Sequence, residues 1–491
     1  MRVGDEGTIV YGAQRVAEGA VPFRDFLEVM GPACFYWLGL FFKLFGISFE
    51  VARNHLWLTA VLTTLLAYHI TRFFIRGPLQ YLPPLAVCAL GIPLWPASSH
   101  HWDSNLFFLS ALAAYLHALE KRRRGLFLMA GAIGAVTALF MIQKGAFLLI
   151  ALSVVTAVSM GARRARLSGM AALIAGATVV FSLTACWFLF QHSLQQYVYA
   201  NIVWPSANYH SVNKIPFNFL FPTVAAASWN SVFADTPSAA WSSIALTSGW
   251  LLIPLLPMIG VVLILVRSTS GLSQGSLFEA QSLAVGLSGG ALWISEVHRP
   301  DFFHLAYAAP VLLIYCCYLL GDLLRPSRTQ SVVAVACAAL IMIPALARFA
   351  NATRVLKTGS TVATRRGVVV MPSEDEALDF LLKSTEQRAK VFIYPYYPMY
   401  YFLADVQNPT RFSIMLYGNN TSGQFADSIS ALERQKVEWV LSDTVVSGAN
   451  FVQWFPGYHH PAPEKLIMER YLAERYEYVR TASGFKILRR K

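Results

Sequence analysis

Charged residues are scarce in this chain: they make up 13% of 491 residues, against 56% hydrophobic. That balance, with a mean hydropathy of +0.48, excludes a soluble globular protein. Cysteine is also sparse. Of the six, Cys88, Cys186, Cys316, Cys317 and Cys337 fall inside apolar stretches and Cys34 in an apolar interfacial segment. This excludes a disulfide framework or a CxxC metal site, and the cysteines read as small apolar core residues. Residues 350–491 lack a glycine-rich phosphate loop, a Ser-His-Asp arrangement and metal-ligand spacing, which favours binding or scaffolding over catalysis there.

Long apolar stretches are abundant. A helix needs about 20 residues to cross a ~30 Å hydrocarbon core. Stretches near 50–74, 80–97, 104–120, 125–141, 145–161, 168–190, 241–266, 278–296, 304–322 and 329–347 predict about ten spans. The fold class expected is an α-helical polytopic membrane protein with a C-terminal extracytoplasmic α/β domain. Its organisation is an acidic loop and juxtamembrane helix over 1–49, a transmembrane domain over 50–349 with a long outer loop at 191–240, and a soluble domain over 350–491.

A net charge of +12 would suit nucleic acid, but the basic residues have a different explanation. Arg72 and Arg76, Lys121 to Arg124, Arg163, Arg164 and Arg166, Arg267, then Arg325 and Arg328 occupy every second connection. The positive-inside rule makes those connections cytoplasmic, and the reading includes a lipid bilayer and no nucleic acid. The opposite connections carry Asp5-Glu6, His100-His101-Trp102-Asp103, Gln143-Lys144, the 191–240 segment and Glu296-Val297-His298-Arg299-Pro300-Asp301. Basic clusters at both ends of 125–161 require two crossings with a turn near Lys144, which places Lys144 at the outer surface level with the acidic pair.

The tail alternates helices and strands. Ser373 to Lys383 reads as a helix with Ser373 at the N-cap and Glu376 in capping-box spacing. A strand is expected at Val391 to Tyr394, a helix over Gln424 to Gln435, a strand at Val437 to Leu441, and a helix over Glu464 to Glu474. A hairpin across Tyr476 to Val479 and Phe485 to Leu488 ends the chain. Sequons at Asn351, Asn419 and Asn420 fall on the outer side of this topology and carry little weight.

The first fifty residues hold the most informative pattern. Asp5-Glu6-Gly7, Ala17-Glu18-Gly19, Pro22-Phe23-Arg24-Asp25-Phe26, Gly31-Pro32, Phe35-Tyr36 and Leu44-Phe45-Gly46 ahead of Arg53 resemble the acidic loop and juxtamembrane helix of GT-C glycosyltransferases. That superfamily includes protein O-mannosyltransferases and lipid A aminoarabinose transferases. The plan of many spans followed by an α/β tail is similar to its bacterial members. In those enzymes a transmembrane helix precedes the acidic loop, and the expectation is that a helix belongs upstream of Asp5.

The resemblance implies transfer of a sugar from a polyprenyl-phosphate donor to an acceptor hydroxyl on glycan, lipid or protein at the extracytoplasmic face of a bacterial inner membrane. An aspartate, with a reference pKa of about 3.9, is ionised at neutral pH. Asp5 is then the candidate general base, with Glu6 beside it. The plainer reading makes both the first-turn carboxylates of a helix over Thr8 to Glu18. The departing phosphate needs cations, and Lys144, Arg299, His298 and His304 are the outer-face candidates, although single basic residues at helix ends often snorkel to head groups. Glu28 and Asp103 are secondary acidic candidates. Glu28 stands shortly before Gly31-Pro32, where the aminoarabinose transferases hold a metal. Some relatives use a divalent ion and others do not, so the metal question stays open among Glu28, His100, His101, Asp103, His298 and His304. Phe35 to Phe45 reads as an interfacial helix that guides a prenyl chain. Tyr197, Tyr199, Trp204, Tyr209 and Trp229 of the long loop read as interface anchors or sugar-stacking residues.

Two other readings stand beside the enzyme. A lipid-linked glycan transporter predicts polar or broken helices at mid-membrane, whereas the polar groups here collect on one face. A catalytically inactive glycan-binding relative would lose nothing on Asp5→Asn.

Overall fold

The structure is a computed structural model that describes residues 4–93, 95–159, 162–209, 277–296, 298, 299, 302–324, 328–444 and 461–491. The expected span at 241–266, Trp229, Arg267 and Asp301 lie outside the described residues.

Helices Gly4–Ala17 (α1), Pro32–Phe45 (α2), Phe49–Thr71 (α3), Leu82–Leu90 (α4), His100–Lys121 (α5), Arg124–Phe140 (α6), Ile142–Ser159 (α7), Arg163–Phe190 (α8) and Leu194–Val198 (α9) occupy the first part. After the undescribed stretch come Leu277–Glu296 (α10), Phe302–Leu324 (α11) and Arg328–Thr358 (α12). Among the described residues, four helices are long and apolar enough to cross a membrane: Ile142–Ser159, Arg163–Phe190, His304–Leu324 and Arg328–Thr358. The count of ten spans is not confirmed. The stretch expected to cross at 80–97 forms a 3-10 turn, Pro78–Tyr81, and the nine-residue α4, which at ~1.5 Å per residue covers far less than ~30 Å. Prolines confine it: Pro83 and Pro84 fit only a first turn, and Pro93 follows Gly91.

The stretch 125–161 does divide. α6 ends at Phe140, Met141 adopts extended backbone, and α7 begins at Ile142. α5, α6, α7 and α10 share one hydrophobic core that includes Phe108, Leu112, Tyr115, Phe127, Leu148, Leu152 and Leu292.

The C-terminal part carries a hairpin, Ser360–Thr364 (β1) and Gly367–Met371 (β2), and a four-stranded sheet. Val391–Tyr394 (β3) lies parallel to Trp439–Asp443 (β4), and β4 pairs antiparallel with Phe485–Arg490 (β6), which pairs antiparallel with Tyr476–Ala482 (β5). Helices Glu376–Ser384 (α13), Met399–Leu403 (α14), Ser422–Arg434 (α15) and Ile467–Arg475 (α16) accompany it. The expected capping box at Ser373 is replaced by Asp375, whose carboxylate accepts the backbone N–H groups of Ala377 and Leu378. A capping box is present instead at Thr421 and Gln424, where each side chain satisfies an orphan donor of the first turn. The hairpin over 360–371 and the five-residue α14 have no counterpart in the sequence reading.

The first 45 residues are not a free-standing loop. Ile9, Val10 and Tyr11 of α1 and Cys34, Leu38 and Phe42 of α2 are buried in one core with Val391, Ile393, Tyr401, Phe402, Leu441 and Ile487. Gly7 makes this possible, because a Cβ there would run into the backbone of Met399. Gly31 does the same on the other side, where a Cβ would meet the Leu139 and Phe140 carbonyls. α2 is apolar on both faces: Cys34, Phe35, Leu38 and Phe42 are buried, while Leu40, Leu44 and Phe45 are exposed.

Candidate functional site

Asp5 and Glu6 lie in the first turn of α1, where carboxylates suit the positive end of the helix dipole. Their environments differ. Asp5 is exposed, whereas Glu6 is buried. The Glu6 carboxylate pairs with Arg53 of α3 and accepts the backbone N–H of Ser98 at 2.9 Å. Glu6 thus ties the start of α1 to α3 and to the turn that leads into α5. In the sequence it is a second candidate for catalysis; in the structure its carboxylate is engaged by Arg53 and Ser98.

Ser99 caps α5, its hydroxyl accepting the N–H of His101, and this sets His100 and His101 in the first turn beside Ser98. The two imidazoles lie 4.1 Å apart between ring centres. His101 stacks on Tyr307 of α11 at 4.4 Å and meets the His304 ring at 4.9 Å. His101 Nδ1 is 2.8 Å from Glu296 Oε1 at the end of α10. Sequence reading placed His100, His101, Glu296 and His304 on one side without joining them, and their convergence is a product of α5, α10 and α11 meeting.

Lys144 is not at the outer surface. It is fully buried, with its ammonium 2.7 Å from Glu296 Oε1 and donating to Asn105 Oδ1 at 2.9 Å, Ser104 Oγ at 3.1 Å and the His101 carbonyl at 3.3 Å. The burial follows from the turn itself, since Lys144 falls in the first turn of α7 and faces α5. A buried charge needs a partner and full hydrogen bonding, and Glu296, Ser104 and Asn105 supply both. Glu296 belongs to the 296–301 motif, but periodicity gave no sign that it would meet Lys144.

Asp103 points elsewhere. It accepts the Thr59 hydroxyl at 3.1 Å and lies 3.5 Å from His55 Nε2, so it joins α5 to α3 inside the protein and stays out of the histidine cluster. His298 and Arg299 sit in the connection after α10, both partly buried, with the Arg299 N–H donating to the Glu296 carbonyl at 3.1 Å. Burial holds the His298 imidazolium below its usual pKa, with the neighbouring His304 adding to the effect. Its ring lies 6.1 Å from His304.

Glu28 occupies the seam with the C-terminal part. It is buried, accepts the Ser413 backbone N–H at 3.3 Å, and burial raises its pKa to about 7. The negative charge of Asp5 pushes in the same direction, which sets the two carboxylates within electrostatic reach of one another.

Ligand atoms of His101, Glu296 and His304 all lie within 4.8 Å of one another. Glu296 Oε2 is buried without a hydrogen-bond partner, so the donor set fits a divalent ion of the imidazole-and-carboxylate type. Glu28 and Asp103 are not members of this group. Apart from it, a cavity of about 290 Å³ opens between α3, α4, α5, α11 and α12. Its walls are apolar, among them Val87, Leu90, Ile92, Trp102, Leu313 and Leu340.

No protein-family model and no curated protein matches the chain. Solved structures do. The chain is similar to ArnT from Cupriavidus metallidurans bound to undecaprenyl phosphate, with 12% identity and a TM-score of 0.55 over 99% of this chain and 94% of that one. The apo state of the same protein gives 12% identity and 0.54, covering 99% and 93%. The apo oligosaccharyltransferase of Archaeoglobus fulgidus is similar at 14% identity and 0.54, over 92% of this chain and 67% of that one.

Proposed function

We propose that this membrane protein of GT-C fold transfers a sugar from a polyprenyl-phosphate donor to an acceptor hydroxyl, with Asp5 as the general base. The observation that carries the reading is the position of Asp5: exposed at the start of α1, while its neighbour Glu6 binds Ser98, two residues before the histidine cluster of α5. The fold supports it, since ArnT, a solved protein of similar architecture, holds undecaprenyl phosphate.

In this reading the Asp5 carboxylate takes the acceptor's hydroxyl proton as that oxygen attacks the anomeric carbon. The bond from the anomeric carbon to the phosphate oxygen breaks, and its electron pair leaves with the polyprenyl phosphate. Positioned acid–base catalysis of this kind contributes about 10²- to 10⁴-fold. The growing negative charge on phosphate needs cations. Arg299 is the side chain for this task, and His298 and, in the absence of a metal, His304 contribute once protonated. Lys144 acts from behind, holding Glu296 and the His101 carbonyl in place. A divalent ion on His101, Glu296 and His304 would supply Lewis-acid stabilisation of the same phosphate.

The apolar cavity beside α4 suits isoprenyl units of the donor, because its walls are apolar and it opens between helices that include the two long apolar ones α11 and α12. Transfer of labelled sugar from a panel of polyprenyl-phosphate donors by the reconstituted protein tests the reading. Donor-dependent transfer that collapses in Asp5→Asn supports it. Equal transfer by the Asp5→Asn protein would remove Asp5 from the mechanism.

A further inference from the structure

A second cavity, of about 260 Å³, lies along the C-terminal half of α1 where the connection at 388 and the segment 405–408 pack against it. Its character is opposite to that of the first. Tyr11, Gln14 and Arg15 of α1 and Glu18 in the turn after it line the cavity, with Arg388 and Asp405 across from them. At ~1.5 Å per residue, Gln14 stands about 14 Å along α1 from Asp5, so the cavity is separate from the site above.

Two of its lining residues carry buried atoms without partners. Gln14 is 3% exposed, and its Oε1 accepts no hydrogen bond. Its amide nitrogen is used, donating to Glu18 Oε1 and Asp405 Oδ1, both at 3.2 Å. Arg15 Nη1 is likewise buried without an acceptor, although Nη2 donates to the Asp25 carbonyl at 2.8 Å. Its guanidinium lies 4.5 Å from the centre of the Phe26 ring and is absent from the ion pairs of the described residues. Native structures leave few such groups unsatisfied, and beside a polar cavity they point to a guest.

The carboxylates define what that guest is. Asp405 is paired with Arg366 at 2.5 Å, and Glu18 with Arg388 at 3.1 Å. Their charges are therefore already met, which leaves no call for an ammonium group, but their remaining lone pairs can accept hydroxyl protons. A phosphate dianion would face both carboxylates at close range. The unpaired guanidinium nitrogen asks for one anionic oxygen, and Gln14 Oε1 for a hydroxyl donor.

We propose that this cavity binds a carboxylate-bearing sugar residue, its carboxylate on Arg15 and its hydroxyls on Gln14, Glu18 and Asp405. The volume exceeds the space of several waters at about 30 Å³ each and accommodates one ring.

Titration of the full chain in nanodiscs with D-glucuronate, D-glucose and L-alanine, followed by saturation-transfer NMR with no donor lipid present, tests this independently of any transfer reaction. Saturable glucuronate binding, with glucose at least about tenfold weaker, is expected, since one charge-assisted hydrogen bond is worth that factor. Arg15→Gln should weaken glucuronate about tenfold and leave glucose unchanged. Should Arg15→Gln fail to fold, Arg388→Gln, at a half-exposed position, should show the same selective loss to a smaller degree. Equal affinity for the two sugars, preferential binding of alanine, or no saturable binding by any of the three would overturn the proposal, the last marking a cavity that holds water alone.

Discussion

The Lys144 ammonium lies 2.7 Å from Glu296 Oε1, and neither side chain reaches solvent. The pair joins α7 to α10 and, through Ser104, Asn105 and His101, both to α5. Removing one charge leaves the other stranded, and breaking a buried pair in this way costs about 3–5 kcal/mol. Lys144→Met should therefore destabilise strongly, whereas Lys144→Met with Glu296→Leu should recover much of the loss. Thermal unfolding of the three proteins in one detergent checks this, and a double variant no better than the single would show that the pair is not the source of the cost.

Asp5 and Glu6 are adjacent and should behave differently. Asp5→Asn is expected to lower transfer by about 10²- to 10⁴-fold with little change in unfolding temperature, because Asp5 is exposed. Glu6→Gln removes the charge that holds Arg53 and weakens the bond from Ser98. It should cost about 1–3 kcal/mol in stability and reduce transfer less than Asp5→Asn does. Steady-state rates alongside unfolding curves separate the two; an inverted order would exchange their roles.

Glu28 makes the seam between the N-terminal segment and the C-terminal part sensitive to pH. Its pKa is raised from 4.5 to about 7 by burial, so the folded protein favours the protonated carboxyl. The stability it contributes is fully present below about 4.5 and is lost as pH rises through about 7. At about 1.36 kcal/mol per pKa unit, the span amounts to roughly 3 kcal/mol. Glu28→Gln, which cannot ionise, should flatten this dependence. Hydrogen exchange at the Ser413 N–H, the bond partner of Glu28, is the local readout. Exchange should accelerate between pH 5 and 8, after correction for intrinsic rates, in the native chain alone, and parallel profiles for both proteins would refute the assignment.

Much of this architecture is legible in the residues before any coordinates. Basic clusters at 121–124 and 163–166 force the chain to turn near 144, and it breaks at Met141. Local patterns of the tail hold too: the strand expected over Val391–Tyr394 matches β3, and the terminal hairpin closes as β5 and β6. What sequence could not give is long-range. Hydropathy treats 80–97 as one crossing, but Pro83, Pro84 and Pro93 limit its helix to nine residues. Positive-inside logic yields an expected side for Lys144 and says nothing of its burial, which depends on Glu296 lying 152 positions away. The shared core of α1, α2 and the C-terminal sheet arises from pairings hundreds of residues apart, for which apolar periodicity carries no address.

The apolar cavity offers a test of donor chain length. Val87 lines it from α4, and Val87→Trp would fill much of its ~290 Å³. If isoprenyl units occupy this space, the larger ring removes favourable burial of about 0.8 kcal/mol for each CH₂-sized group displaced. That loss falls on binding of the donor's tail. Interactions made equally in the ground and transition states change KM and leave kcat alone, so the variant should raise KM for a long-chain polyprenyl-phosphate donor by about tenfold or more with kcat preserved. A donor whose polyprenyl chain is replaced by a methyl group has no tail to place in the cavity and should show nearly the same KM with either protein. A rise in KM that is equal for long and short donors would locate the tail elsewhere, and a fall in kcat with unchanged KM would mean that α4 acts on the reacting groups through the start of α5.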